Sequence, residues 1–351
     1  MIFSKNTAKI LLYLSTAICL LCIVLFRQHK QQGEVSSSIP FTRIEGSVFH
    51  TFYHIQYADS VDYHPQIKQL FAEFDGSLSM FNDTSIISRM NQNDPEVIAN
   101  SYVRTVFEKA LEVSNRTNGA FDITVAPLVN LWGFGFKNSD NVNQQMIDSI
   151  LPFVGYQGVC LDVEGRLHKN DPRTILDASS IAKGYMCDIV ADFLQSKGVN
   201  DYMIEIGGEL AIGGHNAQNK IWSVGINQPV NDSLQIGSNE LRDIMHITDC
   251  GVATSGNYRN FYYKDGQRYA HTIDPKTGYP VQQDILSSTV IAPDCMTADA
   301  YATAFMVMGS ERALRVLAAD TTLMAYFIVT KPDSDETNVI YSPGLKKMLG
   351  Q

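Results

Sequence analysis

Helix-type and strand-type patterns are mixed along most of this chain. Apolar residues recur with helical spacing in four segments: residues 67–78, 103–116, 181–197 and 298–308. Strand-like runs occupy five shorter segments: residues 48–57, 202–206, 221–226, 245–248 and 324–330. Residues 119–136 are too rich in Gly, Pro and aromatic residues for a regular element. There is no internal repeat, so the pattern predicts an α+β fold with mixed, largely antiparallel sheets and flanking helices. With 351 residues and 45% hydrophobic content, the chain can bury a large core, as one domain or two intimately packed lobes.

Residues 10–26 form an apolar run without a charge, and basic residues flank it on both sides. The run lacks an A-x-A-like cleavage site, and neither Cys19 nor Cys22 follows a small residue, as lipidation would require. We therefore expect a short cytoplasmic segment (1–9), an uncleaved transmembrane signal anchor (10–26), a polar linker (27–40) and a folded domain (41–351). Cleavage or lipidation of the anchor stays open as an alternative.

The charge balance disfavours a nucleic-acid partner. The formal net charge is −10, and four basic residues with no acidic one lie in the first thirty positions. The other 23 basic residues therefore face 37 acidic ones, a balance of −14. Phosphate backbones are bound by basic surfaces, so this domain is expected to bind no nucleic acid.

The cysteines give no metal motif beyond the apolar run. Cys160, Cys187, Cys250 and Cys295 are scattered, and no C-x-x-C pair occurs among them. Their wide spacing favours incidental buried thiols over disulfides, and it gives no support to a zinc site.

The segment LDASSIAKGYMCDIV places Asp177, Ser179 and Ser180 just before a predicted helix that contains Lys183. The free N–H groups of a helix N-terminus and a nearby lysine together favour an anion such as phosphate. Asp and Ser are also ordinary capping residues, so a cap without a ligand explains the same letters.

The segment TADAYATAFMVMG places Asp299 and Thr303 four residues apart, on one face of a predicted helix. A hard cation such as Mg²⁺ accepts carboxylate and hydroxyl oxygens. The same pair is common on solvated helix faces, but the surrounding alanines indicate close packing, and a packed acid needs a partner.

The segment ATSGNYRNFYYKDGQRYAHTIDPKTGYPV is the densest in polar and turn-forming residues. It combines Arg259, His271 and Asp274 with glycines, prolines and aromatics, which favours a site with an anion-binding guanidinium and a general base. The sequence IGGEL, with Gly207, Gly208 and Glu209, allows close approach to a ligand or marks a bulge. No P-loop, dinucleotide fingerprint or G-x-S-x-G nucleophile elbow occurs.

Six ordered stretches between residues 46 and 330 resemble the FAD:protein FMN transferase family, known as the ApbE family. They are LSMFNDTSIISRMN, GAFDITVAPLVNLWGFG, LDASSIAKGYMCD, IGGEL, TSGNYRNFYYKDGQRYAHTIDPKTGYP and TADAYATAFMVMG. The first departure is Phe49-His50-Thr51, where the family commonly has Met-Gly-Thr.

The resemblance implies an FAD held between two lobes with a divalent cation, expected to be Mg²⁺, near its pyrophosphate. The residues implied to contact FAD are Phe49, Phe81, Ala120, Phe121, Asp122, Asp177, Lys183 and Ile273, and Arg259 is expected to share the phosphate charge. The implied metal ligands are the carbonyl of Ser180, the carboxylate of Asp299 and the hydroxyl of Thr303. His271 matches the histidine proposed as the general base.

The implied reaction moves FMN from FAD to a Thr or Ser hydroxyl of an acceptor protein and releases AMP. The family further implies an acceptor in a membrane electron-transfer complex and a domain that faces the periplasm from the inner membrane. Two alternatives remain open: a hydrolase that uses water as the acceptor, and a non-catalytic flavin-binding protein.

Overall fold

The computed structural model describes residues 40–134, 142–228, 241–257, 261–264, 267–330 and 336–349, with the backbone alone for 261–264 and 267–270. Its strands are β1 (Phe41–Val48), β2 (Thr51–Ala58), β3 (Val159–Leu161), β4 (Leu167–Lys169), β5 (Tyr202–Ile206), β6 (Glu209–Gly213), β7 (Trp222–Asn227), β8 (Leu241–Ile247), β9 (Cys250–Gly256), β10 (Phe261–Lys264), β11 (Gln267–Ala270), β12 (Ile285–Ala292), β13 (Met324–Thr330) and β14 (Thr337–Tyr341). Its α-helices are α1 (His64–Leu78), α2 (Ile86–Asn91), α3 (Ser101–Arg116), α4 (Ala126–Leu131), α5 (Gln144–Ile150), α6 (Ala182–Ser196), α7 (Cys295–Met308), α8 (Ser310–Ala319) and α9 (Pro343–Met348).

The central sheet has eight strands in the order β1-β2-β5-β6-β9-β12-β13-β14, and every neighbouring pair is antiparallel. The pairs β3–β4, β7–β8 and β10–β11 form separate two-stranded sheets. Long helices flank the large sheet, so the predicted α+β class with largely antiparallel sheets is confirmed.

Both faces of the large sheet are buried, because successive side chains of a strand point to opposite faces. On β13, Phe327 belongs to the main core with α6 and α7, whereas Tyr326 and Ile328 pack with the β7–β8 hairpin and Leu345 of α9. The sheet therefore has helices on one side and a hairpin with a short helix on the other.

Helices α6 and α7 pack closely against each other where Gly184 lies. A Cβ atom at this position would stand 2.3 Å from the carbonyl oxygen of Cys295 and 2.8 Å from Cβ of Asp299. The missing side chain lets the first turn of α6 approach the residues that α7 presents.

The described residues correct two sequence predictions. The predicted strand 48–57 contains a hairpin turn at Phe49 and His50, which have φ of 50° and 58°, so β2 begins only at Thr51. Residues 119–136 were expected to lack regular structure, yet α4 forms there, because proline is tolerated in the first turn of a helix.

The four cysteines of the described part are free thiols: Cys187 and Cys295 are buried, Cys250 is half-buried and Cys160 is exposed. No helix in the described ranges is both long and apolar enough to cross a membrane. The predicted anchor at 10–26 lies outside those ranges, as does the linker apart from Pro40.

Candidate active site

A cleft of about 660 Å³ brings together ten of the thirteen residues that the family resemblance assigned to the site. Those in its lining are Ala120, Phe121, Asp122, Asp177, Ser180, Lys183, His271, Ile273, Asp299 and Thr303. They come from segments far apart in the chain, namely the loop before α4, the start of α6, the middle of α7 and the segment after β11. The β5–β6 turn and strands β7, β9 and β12 complete the walls.

An ion pair between Lys183 and Glu209 lies in this cleft. Nζ of Lys183 is 2.5 Å from Oε1 of Glu209, whose side chain is 6% exposed. Burial lowers the pKa of Lys183, but the carboxylates of Asp299 and Glu209 outweigh that effect and hold the pKa above its ordinary value. Burial also raises the pKa of Glu209, and the Lys183 ammonium opposes that rise. Lys183 is therefore a fixed cation between two carboxyl groups.

Asp299 is buried, with 3% of its surface exposed, and its Oδ2 accepts the N–H of Gly184 at 3.0 Å. Four residues later, Oγ1 of Thr303 lies 3.2 Å from Oγ of Ser255 on β9. Thr254 and Thr289 add a second hydroxyl pair at 2.8 Å. Along α7, the cleft thus offers carboxylate and hydroxyl oxygens, the ligand type that hard cations prefer.

Helix α6 begins at this cleft without a side-chain cap. Its N-cap is Ile181, which makes no capping hydrogen bond. Ser179 and Ser180 line the cleft, and neither is the N-cap residue, as the alternative interpretation would require. The positive end of a helix dipole beside a lysine is suited to an anion.

The carboxylates of Asp177 and Asp122 organise the loops around the cleft. Oδ1 of Asp177 accepts the N–H and the hydroxyl of Ser179, at 2.8 and 2.5 Å. Asp122 is buried and accepts the N–H groups of Thr124 and Tyr156, at 2.8 and 2.9 Å, while burial raises its pKa. The N–H of Asp177 donates to the carbonyl of Ile123, which links the two loops.

His271 is half-buried in the cleft, where its ring lies 6.4 Å from that of Phe134. The next residues are held firmly, since Thr272 donates its hydroxyl to Oδ1 of Asn257 and Ile273 bridges to Pro280. Asp274 is not part of the lining, and its carboxylate accepts the N–H of Lys276 within a turn. His271 is thus the better-placed base of the two.

Two described residues that were expected to bind FAD, Phe49 and Phe81, are not found in the cleft lining. Phe49 packs into the core instead, with its ring 5.4 Å from Phe74 and 6.0 Å from Phe71. Phe81 is 65% exposed, and its ring lies 4.8 Å from that of His50. At the β1–β2 turn, Phe49 therefore faces the core, whereas the neighbouring His50 contacts Phe81. Arg259 lies outside the described residues.

Sequence reasoning did not assign roles to several polar residues of the cleft. Glu209 was noted only with the glycines before it, Thr254 and Ser255 only as part of the polar segment that favoured a site, and Thr289 was not singled out. Two features of the sequence could have indicated these residues: the polar TSG run and the Gly-Gly-Glu turn. Their partners lie on other strands, so only the folded chain joins them.

The fold and the cleft together define a class: a mixed α+β protein with a cleft for a phosphate-bearing ligand and oxygen ligands for a cation. Within the described ranges no group of three or more His, Cys, Asp or Glu residues could hold a metal on its own. A cation here would depend on hydroxyl, carbonyl and substrate oxygens besides one carboxylate.

Comparison with known proteins identifies the family. The model of the ApbE family matches residues 49–327. The chain is 37% identical to an FAD:protein FMN transferase of Vibrio cholerae over 302 residues, covering 83% of this chain and 87% of that protein. It is 31% identical to the Escherichia coli K12 protein of the same name over 350 residues, covering 95% and 97%.

Solved structures agree with this result. The flavin transferase ApbE from Vibrio cholerae superimposes with a TM-score of 0.78 at 34% identity, covering 88% of this chain and 99% of that one. The apo form of the Pseudomonas stutzeri flavinyl transferase ApbE gives a TM-score of 0.79 at 28% identity, covering 89% and 98%. The chain therefore belongs to the ApbE family and is a flavin transferase, as the six motifs predicted.

Proposed function

We propose that this enzyme transfers the FMN half of FAD to a Thr or Ser hydroxyl of an acceptor protein, with Mg²⁺ as cofactor and AMP as the second product. The observation that carries the proposal is the convergence of Lys183, Asp299, Thr303 and His271 on one cleft. These groups meet the three needs of phosphoryl transfer: charge neutralisation, positioning and a base.

The diphosphate of FAD would lie at the start of α6. The helix dipole gives this end of α6 a partial positive charge, and Lys183 adds a full one. The neighbouring carboxylates of Asp299 and Glu209 would repel an anion, so binding needs a further cation. This charge balance supports magnesium.

The residues present fit that cation. Asp299 and Thr303 supply a carboxylate and a hydroxyl from one face of α7, and Ser180 supplies a carbonyl from the loop before α6. Bound there, Mg²⁺ would neutralise the developing charge on the diphosphate. Gly184 keeps Asp299 oriented, since its N–H occupies one carboxylate oxygen.

His271 would act as the general base. It accepts the proton of the acceptor hydroxyl, the oxygen bonds to the phosphorus of the FMN moiety, and the bond from that phosphorus to the AMP oxygen breaks. AMP leaves with the electron pair of that bond. Lys183 stabilises the charge on the phosphate oxygens during this step.

We place the domain in the periplasm, tethered to the inner membrane by residues 10–26, where it would modify a flavoprotein of a membrane electron-transfer complex. The uncharged run and the polar linker support a membrane tether, and the family resemblance supports the periplasmic side, since basic residues at both ends of the run do not decide its orientation. Protease added to intact spheroplasts should then digest the domain. Protection of the domain under those conditions would contradict the location.

The reaction itself is tested by incubating the full chain with FAD and Mg²⁺, with and without a candidate acceptor protein, and following the flavin by mass spectrometry. Protein-bound FMN together with free AMP supports the transferase. Free FMN in both samples would identify a hydrolase, and intact FAD would identify a binding protein.

A further inference from the structure

One buried oxygen in the cleft has no partner. Oε2 of Glu209 makes no hydrogen bond to any of the described residues, although Glu209 is only 5% exposed. A buried carboxylate oxygen without a donor is costly, and native structures rarely retain one without a function. Since Glu209 lines the cleft, the donor that completes it would come from the substrate.

The position of Glu209 is rigid. Gly207 and Gly208, with φ of 66° and 102°, form the two-residue turn that places Glu209 opposite Ile206 in the β5–β6 hairpin. The turn packs against Lys183, because a Cβ on Gly207 would lie 3.2 Å from its Cδ. The hairpin therefore fixes the backbone of Glu209, and the ion pair with Lys183 holds its side chain.

The charge of the pair defines the missing donor. Burial raises the pKa of Glu209, but the ammonium of Lys183, 2.5 Å from Oε1, favours the ionised form, in which Oε2 is an acceptor. A phosphate oxygen is also an acceptor and would be repelled. The donors that FAD offers beside its diphosphate are sugar hydroxyls.

We propose that Glu209 is a substrate-binding residue: Oε2 accepts a hydrogen bond from a sugar hydroxyl of FAD, while Oε1 holds Lys183 beside the diphosphate. This inference rests on the proposed function. The hydroxyl belongs either to the ribityl chain or to the adenosine ribose, which have the same chemistry.

Calorimetric titration of the full chain with FAD in the presence of Mg²⁺ tests the proposal in three variants: Glu209→Gln, Glu209→Ala and the control Glu112→Ala. Both Glu209 variants should bind FAD roughly tenfold more weakly, the usual effect of losing a hydrogen bond to a charged group. Glu112→Ala also removes a lysine-paired carboxylate, 3.0 Å from Lys109, but at an exposed position of α3 that does not line the cleft. It should bind FAD like the parent chain.

Two neutral probes separate a direct contact from an effect through Lys183. Riboflavin carries the ribityl hydroxyls and adenosine carries the ribose hydroxyls, and neither has a phosphate for Lys183 to attract. Glu209→Gln should weaken the binding of one of them, and the probe affected identifies the sugar. Loss of affinity for FAD with no loss for either probe would mean that Glu209 acts only by positioning Lys183, which overturns the proposed contact.

The remaining outcomes are also decisive. If Glu209→Gln binds FAD as tightly as the parent chain, Oε2 accepts no hydrogen bond from FAD and the proposal is wrong, while the proposed function stands. If the parent chain itself fails to bind FAD, both fail. Equal melting temperatures of Glu209→Gln and the parent chain exclude loss of the fold as the cause.

Discussion

Two acidic cavities lie along α6, and they differ in what accompanies their carboxylates. The larger, of about 660 Å³, combines them with Lys183, His271 and several hydroxyls. The smaller, of about 390 Å³, is lined by Asp188, Asp192, Asp249 and Asp294, with no Lys, Arg or His among the described residues around it. Acidity alone therefore does not define the site.

The acidic side chains of the smaller cavity mostly serve the fold. Asp188 accepts the N–H groups of Cys295 and Met296, both at 2.8 Å, and burial raises its pKa to about 8. Asp294 caps α7 by accepting the N–H of Thr297 at 2.7 Å, and Asp249 accepts the N–H of Gly214 at 2.9 Å. In the larger cavity, by contrast, Glu209 keeps an oxygen without a partner.

The largest expected effect is at His271. His271→Ala should still bind FAD and Mg²⁺ but transfer FMN roughly 10²- to 10⁴-fold more slowly, the usual contribution of a positioned acid–base group. Titration with FAD and single-turnover kinetics at saturating FAD measure the two effects separately. His168→Ala is the matched control, because its ring pairs with Asp162 on the surface. Near-native turnover of His271→Ala would exclude it as the base.

Asp299→Ala is expected to lower magnesium-supported transfer by roughly 10²- to 10³-fold, since the diphosphate charge loses its compensation. The variant also leaves the N–H of Gly184 without its acceptor. Asp299→Asn keeps an oxygen that can accept the N–H of Gly184 but removes the negative charge. If both variants lose activity, the loss is therefore due to the missing charge and not to the missing hydrogen bond. Native activity of Asp299→Asn across a magnesium titration would show that the metal site is wrongly assigned.

Asp294→Ala, in the smaller cavity, should reduce stability rather than chemistry. Removing the cap of α7 is expected to cost about 1 kcal/mol in the free energy of unfolding. Chemical denaturation measures this loss, and transfer kinetics at a temperature where the variant is folded should match those of the parent chain. A slower chemical step with unchanged stability would mean that the smaller cavity takes part in catalysis.

The smallest effect is expected at Asp192, an exposed member of the smaller cavity. Asp192→Asn should change neither FAD affinity nor transfer rate, because the side chain contacts none of the residues assigned to the site. A change of more than threefold in either quantity would contradict the distinction between the cavities.

The distance along the chain between interacting residues explains which features of the site the sequence could predict. Asp299 and Thr303 share a helix, so their spacing alone predicts a common face. Strands 202–206 and 324–330 were also predicted with the bounds that the structure gives, since apolar residues concentrate there. The pairing of Lys183 with Glu209 joins residues from α6 and β6, and no local pattern encodes it.

Local pattern also failed at the β1–β2 turn. Two residues other than glycine adopt positive φ there, which sequence preferences disfavour, so the turn at Phe49 and His50 was assigned to a strand. Phe49 was placed against the flavin by its position in the motif. In the fold its ring packs with Phe71 and Phe74, because the hairpin turns it towards α1.

The crystal structure of the full chain with FAD and Mg²⁺ tests the central claim most directly. The account predicts that the diphosphate lies at the start of α6 beside Lys183, with the metal contacting Asp299 and Thr303 and His271 facing the FMN phosphorus. FAD bound in the smaller cavity, or in the larger one with its diphosphate away from Lys183 and Asp299, would contradict it.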